Sequence, residues 1–310
     1  MRTLLQTLAF FFPVPFNRWL HRLAGAKIGK HAVIHPCVLI LARQVEIGSS
    51  AKIRFGTMVN VRAFKLGEKS LVGYFVHTKG MSDLIVGSAC VIGPQTLINC
   101  DCPVILGYYS AIGPRSTLFT HGSFLPVTEG YRAIFGPIEL KEKAWVTMNC
   151  TIGPGVTVGE GTNVMPGTVL LRSVKPHRLV AGNPAKLVNI QLFRSSQGAK
   201  LEDLVVEILE RYCAWERDIH GAKVTMIGGI LHVKHRGRTL TISVNGESDI
   251  LLLMRPGEQR DGMFFNLADL TTDEGSHATK QRFEGFMRLH YGLTFLCTPT
   301  RQQSRSGGSR

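Results

Sequence analysis

Between Leu140 and Leu170 the chain reads LKEKAWVTMNCTIGPGVTVGEGTNVMPGTVL. An aliphatic residue falls on every sixth position: Leu140, Val146, Ile152, Val158, Val164 and Leu170. Period six fits neither a helix, at about 3.6 residues per turn, nor a strand, whose side chains alternate. It fits a solenoid of triangular section, in which each hexapeptide is one short strand and one turn, and three hexapeptides close a coil. The aliphatic side chains then point inward, and coils stack at strand spacing, about 4.8 Å. A single coil cannot bury its apolar face alone, so the stack is the stable unit.

The same spacing extends towards the N-terminus. Ile28, Ile34 and Ile40 are followed, after a slip of one residue, by Ile47, Ile53 and Val59. Leu66 and Val72 come next, then Val86, Ile92 and Ile98, then Leu106, Ile112 and Leu118. Glycine recurs just after the aliphatic residue, as at Gly48, Gly67, Gly93 and Gly113. The aliphatic count predicts roughly seven coils. The slips are expected at corners, where a bulge disturbs the ladder least. Within the stretch Phe119 to Met148 the repeat is interrupted until it resumes at Leu140, and His121 sits where it stops.

The segment IGPGVTVGEGTNVMPGTVLLRSVKPHRLVAGNPAKLV, Ile152 to Val188, resembles the C-terminal signature of the hexapeptide-repeat acyltransferases. Its most specific part is VAGNPAK, Val180 to Lys186. The likeness is to the maltose, galactoside and polysaccharide O-acetyltransferase branch and covers Ala26 to about Ile190. It implies a mainly β fold: a left-handed parallel β-helix of hexapeptide repeats over 27–192, with a loop at 119–137. The handedness rests on the resemblance alone, since the general crossover rule runs the other way.

The ends of the chain read differently. LLQTLAFFFPVPF, Leu4 to Phe16, is apolar but broken by Gln6, Thr7, Pro13 and Pro15. It is too short and too interrupted to span a bilayer, and it lacks a small-residue cleavage site. Residues 1–26 are expected as an apolar cap over the first repeat. The other reading is an interfacial membrane contact beside Arg18, His21, Arg22 and Lys27. Past the polar boundary Leu192 to Lys200, the residues Leu201, Leu204, Val205, Ile208 and Leu209 fall at helical spacing, with Gly221 as a stop. KVTMIGGILHVKH, RTLTISVN and DILLLMRP read as strands, and HATKQRFEGFMRLHYG as a second helix. A small C-terminal α+β accessory domain is expected over 199–300, followed by a disordered tail at 301–310.

Composition narrows the chemistry. The net charge of +14, from 36 Lys+Arg against 22 Asp+Glu, attracts phosphates, anionic lipid or acidic polysaccharide. No aromatic-interleaved basic motif is present, so no nucleic acid partner is expected. The seven cysteines follow no zinc or CxxC spacing and read as buried small hydrophobes in a reducing compartment. The expected location is therefore cytoplasmic, with the inner face of the membrane as the place of any peripheral contact. His31, His35, His77 and His121 are poorly spaced for the three-histidine zinc site of γ-type carbonic anhydrases, so no metal is expected. P-loop, GxGxxG and GxSxG motifs are absent.

The resemblance also implies roles. Acyl transfer to a hydroxyl needs a base near neutrality, and in the family a histidine at the start of the interrupting loop has that role; His121 stands there. Glu129, the loop's only carboxylate before Glu139, is the candidate to orient it. Asn99 and Asp101, about one coil earlier, are candidate ligands of the acceptor hydroxyl, and Tyr131 a candidate acceptor contact. Trp145 stands where the family has an aromatic wall beside the thioester, and Thr147 where it has glycine. Thr168, Arg172 and Lys186 are the implied cofactor-groove residues, with Gly182 shaping a turn over the last coil. The implied donor is acetyl-CoA and the implied acceptor a sugar hydroxyl of a polysaccharide or glycan precursor. The implied assembly is a homotrimer with sites between subunits. The alternatives are an N-acyltransferase acting on an amino sugar or antibiotic amine, and a non-catalytic scaffold that displays the C-terminal domain.

Overall fold

The computed structural model of the protein describes residues 1–122, 126–189, 199–227, 230–235, 238–245, 249–253, 263–267, 271–272, 278–291 and 294–297. Two compact units, Met1–Gln191 and Leu192–Arg310, are formed. The tail at 301–310 lies outside the described residues.

The first unit is a parallel β-solenoid whose inward residues make three ladders. Ile28, Ile47, Leu66, Val86, Leu106, Leu140 and Val158 stack in register along the first face. The second face stacks Ile34, Ile53, Val72, Ile92, Ile112, Val146, Val164 and Val180. The third stacks Ile40, Val59, Thr78, Ile98, Leu118, Ile152 and Leu170. All but Ile28 are buried, and full burial of one such aliphatic side chain contributes about 1.5–3 kcal/mol. Thr78 is the exception that the aliphatic pattern skips. It has the shape of valine, sits between Val59 and Ile98, and buries a hydroxyl with no hydrogen-bond partner among the described residues.

The three corners are not alike. Across the first two, inward residues are six apart in coil after coil, as in the run Leu106, Ile112 and Leu118. Such turns place a residue in the left-handed region: Ser50 (φ 56°), Lys69 (52°) and Tyr109 (59°) at the first corner, and Phe75 (54°), Gln95 (58°) and Arg115 (56°) at the second. That conformation costs a non-glycine residue about 1–2 kcal/mol. Stacking offsets it, because each of these N–H groups points back to the preceding coil: Gln95 N donates to Tyr74 O at 2.8 Å and Arg115 N to Pro94 O at 2.9 Å. Glycine recurs after the inward residue for a steric reason. A β-carbon on Gly48 would stand 2.5 Å from Glu68 N in the next coil.

Every slip of the repeat falls at the third corner. There the chain takes seven residues from Ile40 to Ile47, eight from Ile98 to Leu106 and 22 from Leu118 to Leu140. Only from Ile152 to Val158 does it close in six, and there Gly155 takes φ 73°.

The N-terminal end of the stack poses a hydrogen-bonding problem. Alternate strand N–H groups donate to the carbonyls of the following coil, as from Val33 to Ala51 O and from His35 to Ile53 O. The first coil therefore leaves a row of carbonyls without strand partners. Helices α1 (Arg2–Phe11) and α2 (Phe16–Leu23) cover it. Gln6 Nε2 donates to Ala42 O at 2.9 Å, Asn17 Nδ2 to Ile34 O at 2.7 Å and Arg22 Nη2 to Ile28 O at 2.9 Å. Arg2 donates to Arg43 O. The segment expected as an apolar cap is thus polar on its inner side, because a carbonyl row requires donors. His21 is also buried there, with neither ring nitrogen partnered among the described residues. Burial holds its pKa down at about 4, so it is neutral at pH 7.

The second unit packs two helices with a β-sheet. The helix expected from Leu201 spans Ala199–His220 (α3), and the second spans Ala278–Tyr291 (α4). Among the described residues, seven strands pair in chain order. The pairings are antiparallel except the last, Thr271–Thr272 with Leu296–Cys297. Tyr212, Phe265, Phe283, Phe286 and Phe295 fill its core. The buried Glu216 accepts a hydrogen bond from Tyr212 Oη at 2.7 Å, and Arg282 stands 3.7 Å away. Burial, with the Glu216 charge, pushes the Tyr212 phenol well above its usual pKa.

Candidate active site

At the third corner the third-face strand Thr117–Leu118 leads into Phe119, whose N–H donates to Ile152 O at 3.0 Å. The chain then leaves the coil as an arm. His121–Gly122 pairs antiparallel with Ile134–Phe135, and Gly136 N closes the arm's base on Thr120 O at 3.0 Å. The His121 ring lies nearly parallel to the Phe135 ring, with centroids 5.7 Å apart. Ser123, Phe124 and Leu125, inside the arm, lie outside the described residues.

One coil earlier, Leu97–Asn99 runs in register beneath Thr117–Leu118. Stacking therefore delivers Asn99 and Asp101 to His121. His121 Nδ1 stands 2.9 Å from Asn99 Oδ1 and 3.0 Å from Asp101 Oδ2. The partners are themselves held. Asn99 Nδ2 donates to Asp101 Oδ2 at 3.1 Å, Thr120 Oγ1 to Asn99 Oδ1 at 2.8 Å, and Met81 N to Asp101 Oδ1 at 3.2 Å. Cys102 N donates to Thr120 Oγ1 at 3.0 Å. Asn99 and Thr120 are buried, while His121 is half-buried. The thiol of the buried Cys100, between them in sequence, is pushed up to about 12 by burial and by Asp101 and Asp83.

This network fixes a tautomer. The Asn99 amide is oriented by its own donation to Asp101 and by its acceptance from Thr120. Both atoms facing His121 Nδ1 are therefore acceptors, and Nδ1 carries the ring hydrogen. The lone pair is left on Nε2, on the far side of the ring, able to take a proton.

The other residues singled out near the loop lie differently. Glu129 ends the short 3-10 helix Val127–Glu129 and is exposed. No hydrogen bond or ion pair joins it to His121 among the described residues; the carboxylate at the ring is that of Asp101. Tyr131 is exposed on the arm. Thr120, Phe135 and the Met81 N–H were not singled out from sequence. Thr120 carried a signal as the hydroxyl next to His121, but Phe135 becomes its neighbour only through the antiparallel pairing of the arm.

No protein-family model matches the chain. The putative colanic acid biosynthesis acetyltransferase WcaF of Escherichia coli (strain K12) is 27% identical over 185 residues, which is 59% of this chain and 80% of that protein. A putative acetyltransferase of Staphylococcus aureus (strain Mu50) is 37% identical over 82 residues, 26% of this chain. The match spans 37% of that relative's length. The chain is thus similar to acetyltransferases, as the six-residue repeat and the VAGNPAK segment implied. Among solved structures, a hexapeptide-repeat acetyltransferase of Vibrio cholerae complexed with acetyl coenzyme A is 28% identical, over 43% of this chain and 71% of that chain, with a TM-score of 0.31. A maltose O-acetyltransferase of Clostridium difficile is 14% identical over 60% of this chain and 82% of that chain, with a TM-score of 0.34. At these TM-scores the structural likenesses add nothing to the site.

In this hexapeptide-repeat protein the expected cofactor residues divide into two groups. Thr147 and Thr168 are turned inward. Thr147 is buried and its hydroxyl donates to Val164 O at 2.7 Å; Thr168 is 0% exposed and its hydroxyl donates to Met165 O at 2.6 Å. Both hydroxyls are turned to backbone carbonyls, that of Thr147 to the next coil and that of Thr168 to its own turn, and away from solvent. Arg172, Gly182 and Lys186 are exposed near the last coil. Trp145 is exposed on the second face, in register with Ala111 and Asn163. The Asn163 Oδ1 atom beside it is buried without a hydrogen-bond partner among the described residues. An orphaned amide oxygen next to an exposed indole fits an amide-bearing chain such as pantetheine. Trp145 lies on the second face, whereas His121 lies in the arm beyond the third.

Proposed function

We propose that the protein transfers an acetyl group from acetyl-CoA to a hydroxyl of a sugar, in a polysaccharide or glycan precursor. The observation that carries this reading is the tether of His121 Nδ1 to Asn99 Oδ1 and Asp101 Oδ2, at 2.9 and 3.0 Å, at the corner where the repeat opens. His121 Nε2 takes the acceptor hydroxyl's proton as that oxygen attacks the thioester carbonyl. The new C–O bond forms, the C–S bond breaks, and the departing CoA sulfur receives the proton from Nε2. Asp101 and Asn99 hold the tautomer and favour the imidazolium that forms in between. They are positioning residues in this reading, rather than the acceptor ligands expected from sequence.

Arg172 and Lys186 are assigned to the CoA phosphates, and Trp145 and Asn163 to the pantetheine arm. Since Trp145 lies on the second face and His121 in the arm beyond the third, the complete site is assigned to the boundary between subunits of a homotrimer. Tyr131 and Glu129, on the arm, are assigned to the acceptor. WcaF, the relative covered over 80% of its length, is named for colanic acid biosynthesis, which supports a glycan acceptor.

The test is CoA release from acetyl-CoA across a panel of glycan hydroxyl and amino-sugar acceptors, with acetylated products read by mass spectrometry. His121→Ala is expected to abolish release while leaving the melting curve unchanged. Undiminished release by that variant would remove His121 as the base, and products formed only on amines would replace O-acetylation with N-acetylation.

A further inference from the structure

The N-terminal hairpin buries polar side chains beside Ala9 and Leu20 and leaves its large apolar ones exposed. Gln6, Asn17 and His21 face the solenoid, while Leu4, Phe11, Phe16, Trp19 and Leu23 face outward. Phe11 is 71% exposed and Phe16 and Trp19 are each 59% exposed. The inward order follows from the carbonyls it covers; the outward apolar side chains are exposed among the described residues. Clustered exposed aromatic and aliphatic side chains mark a contact surface.

Charge identifies the occupant. Residues 1–46 contain Arg2, Arg18, Arg22, Lys27, Lys30 and Arg43 against the single carboxylate Glu46, which stands 3.8 Å from Lys27, and so carry a net +5 of the chain's +14. Two such ends meeting face to face would set like charges against each other, which disfavours a second copy. Aromatic and leucine side chains flanked by Lys and Arg match the boundary between the acyl chains and headgroups of an anionic bilayer. Neither helix can span it: among the described residues no helix is long and apolar enough to cross a membrane.

We infer that the α1–α2 hairpin seats the protein on an anionic lipid bilayer. Phe11, Phe16 and Trp19 enter the headgroup–acyl boundary, and the basic groups around them meet lipid phosphates. This inference does not rest on the acyltransferase reading, and its test uses no activity.

The test is flotation of the full chain with vesicles of phosphatidylcholine, alone or with about 30% phosphatidylglycerol. The chain is expected to float with the anionic vesicles, to bind neutral ones at least about tenfold less, and to be released by salt. Phe11→Ser combined with Trp19→Ser is expected to lower the bound fraction about tenfold with an unchanged melting curve. Lys27→Glu combined with Lys30→Glu, which leaves the apolar face intact, is expected to lower it severalfold. Absence of flotation, or wild-type flotation by either variant, would overturn the inference. So would a loss of oligomeric mass in the Phe11→Ser/Trp19→Ser variant by light scattering, which would make a second copy the occupant.

Discussion

At the corner that holds Gln95 and Arg115 the chain turns in six residues coil after coil, whereas at the corner that holds Asp101 and His121 it takes seven, eight and 22 before closing in six from Ile152 to Val158. The first kind of corner tolerates non-glycine residues at φ near +56°, as at Arg115, because each strained N–H is caught by the coil before it. Its regularity leaves polar groups little freedom: the Thr147 hydroxyl donates to Val164 O of the next coil and the Thr168 hydroxyl to Met165 O of its own turn. The second kind gives up strict register. Side chains there bond to side chains of the neighbouring coil, as Thr120 does to Asn99 and His121 to Asp101. A solenoid thus confines its irregularity to one edge, and the proposed chemistry sits on that edge.

The largest expected effect separates the two kinds of corner directly. His121→Ala should lower kcat/KM by about 10³-fold, within the usual range for loss of a general base, while Arg115→Ala should leave it near wild type; steady-state CoA release checks both. Equal losses would mean that the open corner is not special.

Gly80→Ala comes next. A β-carbon there would stand 2.2 Å from Cys100 C, and φ is +151°, so the backbone carrying Asp101 must shift. The expected cost is about 2–3 kcal/mol by chemical denaturation, within the range for strained backbone sites, together with a fall in kcat. Asp101→Asn keeps the shape but offers an amide N–H towards His121 Nδ1. It should lower kcat about 10–100-fold with little change in melting temperature, and move the acidic limb of the pH–rate profile, where the base becomes protonated. An unaltered pH profile would leave Asp101 a merely structural role.

Two smaller effects test the packing side of the comparison. Thr78→Val removes the unpartnered buried hydroxyl and completes the third aliphatic ladder, for a gain of about 1 kcal/mol in denaturant unfolding. Arg115→Asn places a residue that tolerates the left-handed region at φ 56°. It should gain about 0.5 kcal/mol, visible as a small rise in melting temperature.

Much of the fold was legible because the aliphatic period is a direct image of the coil. Leu140 to Leu170, read in sixes, already defines which side chains point inward, and register merely stacks them. Thr78 escaped that reading because a hydroxyl breaks an aliphatic pattern without breaking the shape that the ladder needs. His121 was legible as the residue where the period fails. Its partners were half legible: Asn99 and Asp101 lie about one coil earlier, so stacking had to bring them near. Their contact with Nδ1 depends on where the extra residues of the third corner put the side chains. Glu129, the nearer carboxylate in sequence, instead lies on the arm. Thr147 and Thr168 looked like groove residues because the direction of a hydroxyl at a tight corner is not written in its spacing.

The amino-acid sequence by itself determined the coil, its inward ladders and the point of interruption, since these follow from periodic burial and from the need of each coil for a neighbour. Tertiary structure alone decided which carboxylate meets His121, which hydroxyls turn inward and which side of the N-terminal hairpin faces out. Those outcomes depend on where unpaired donors and acceptors stand after the chain has stacked. The open carbonyl row of the first coil pulls Gln6 and Asn17 inward and leaves Phe11 and Trp19 outside, an arrangement that hydrophobic patterning alone would have drawn the other way round.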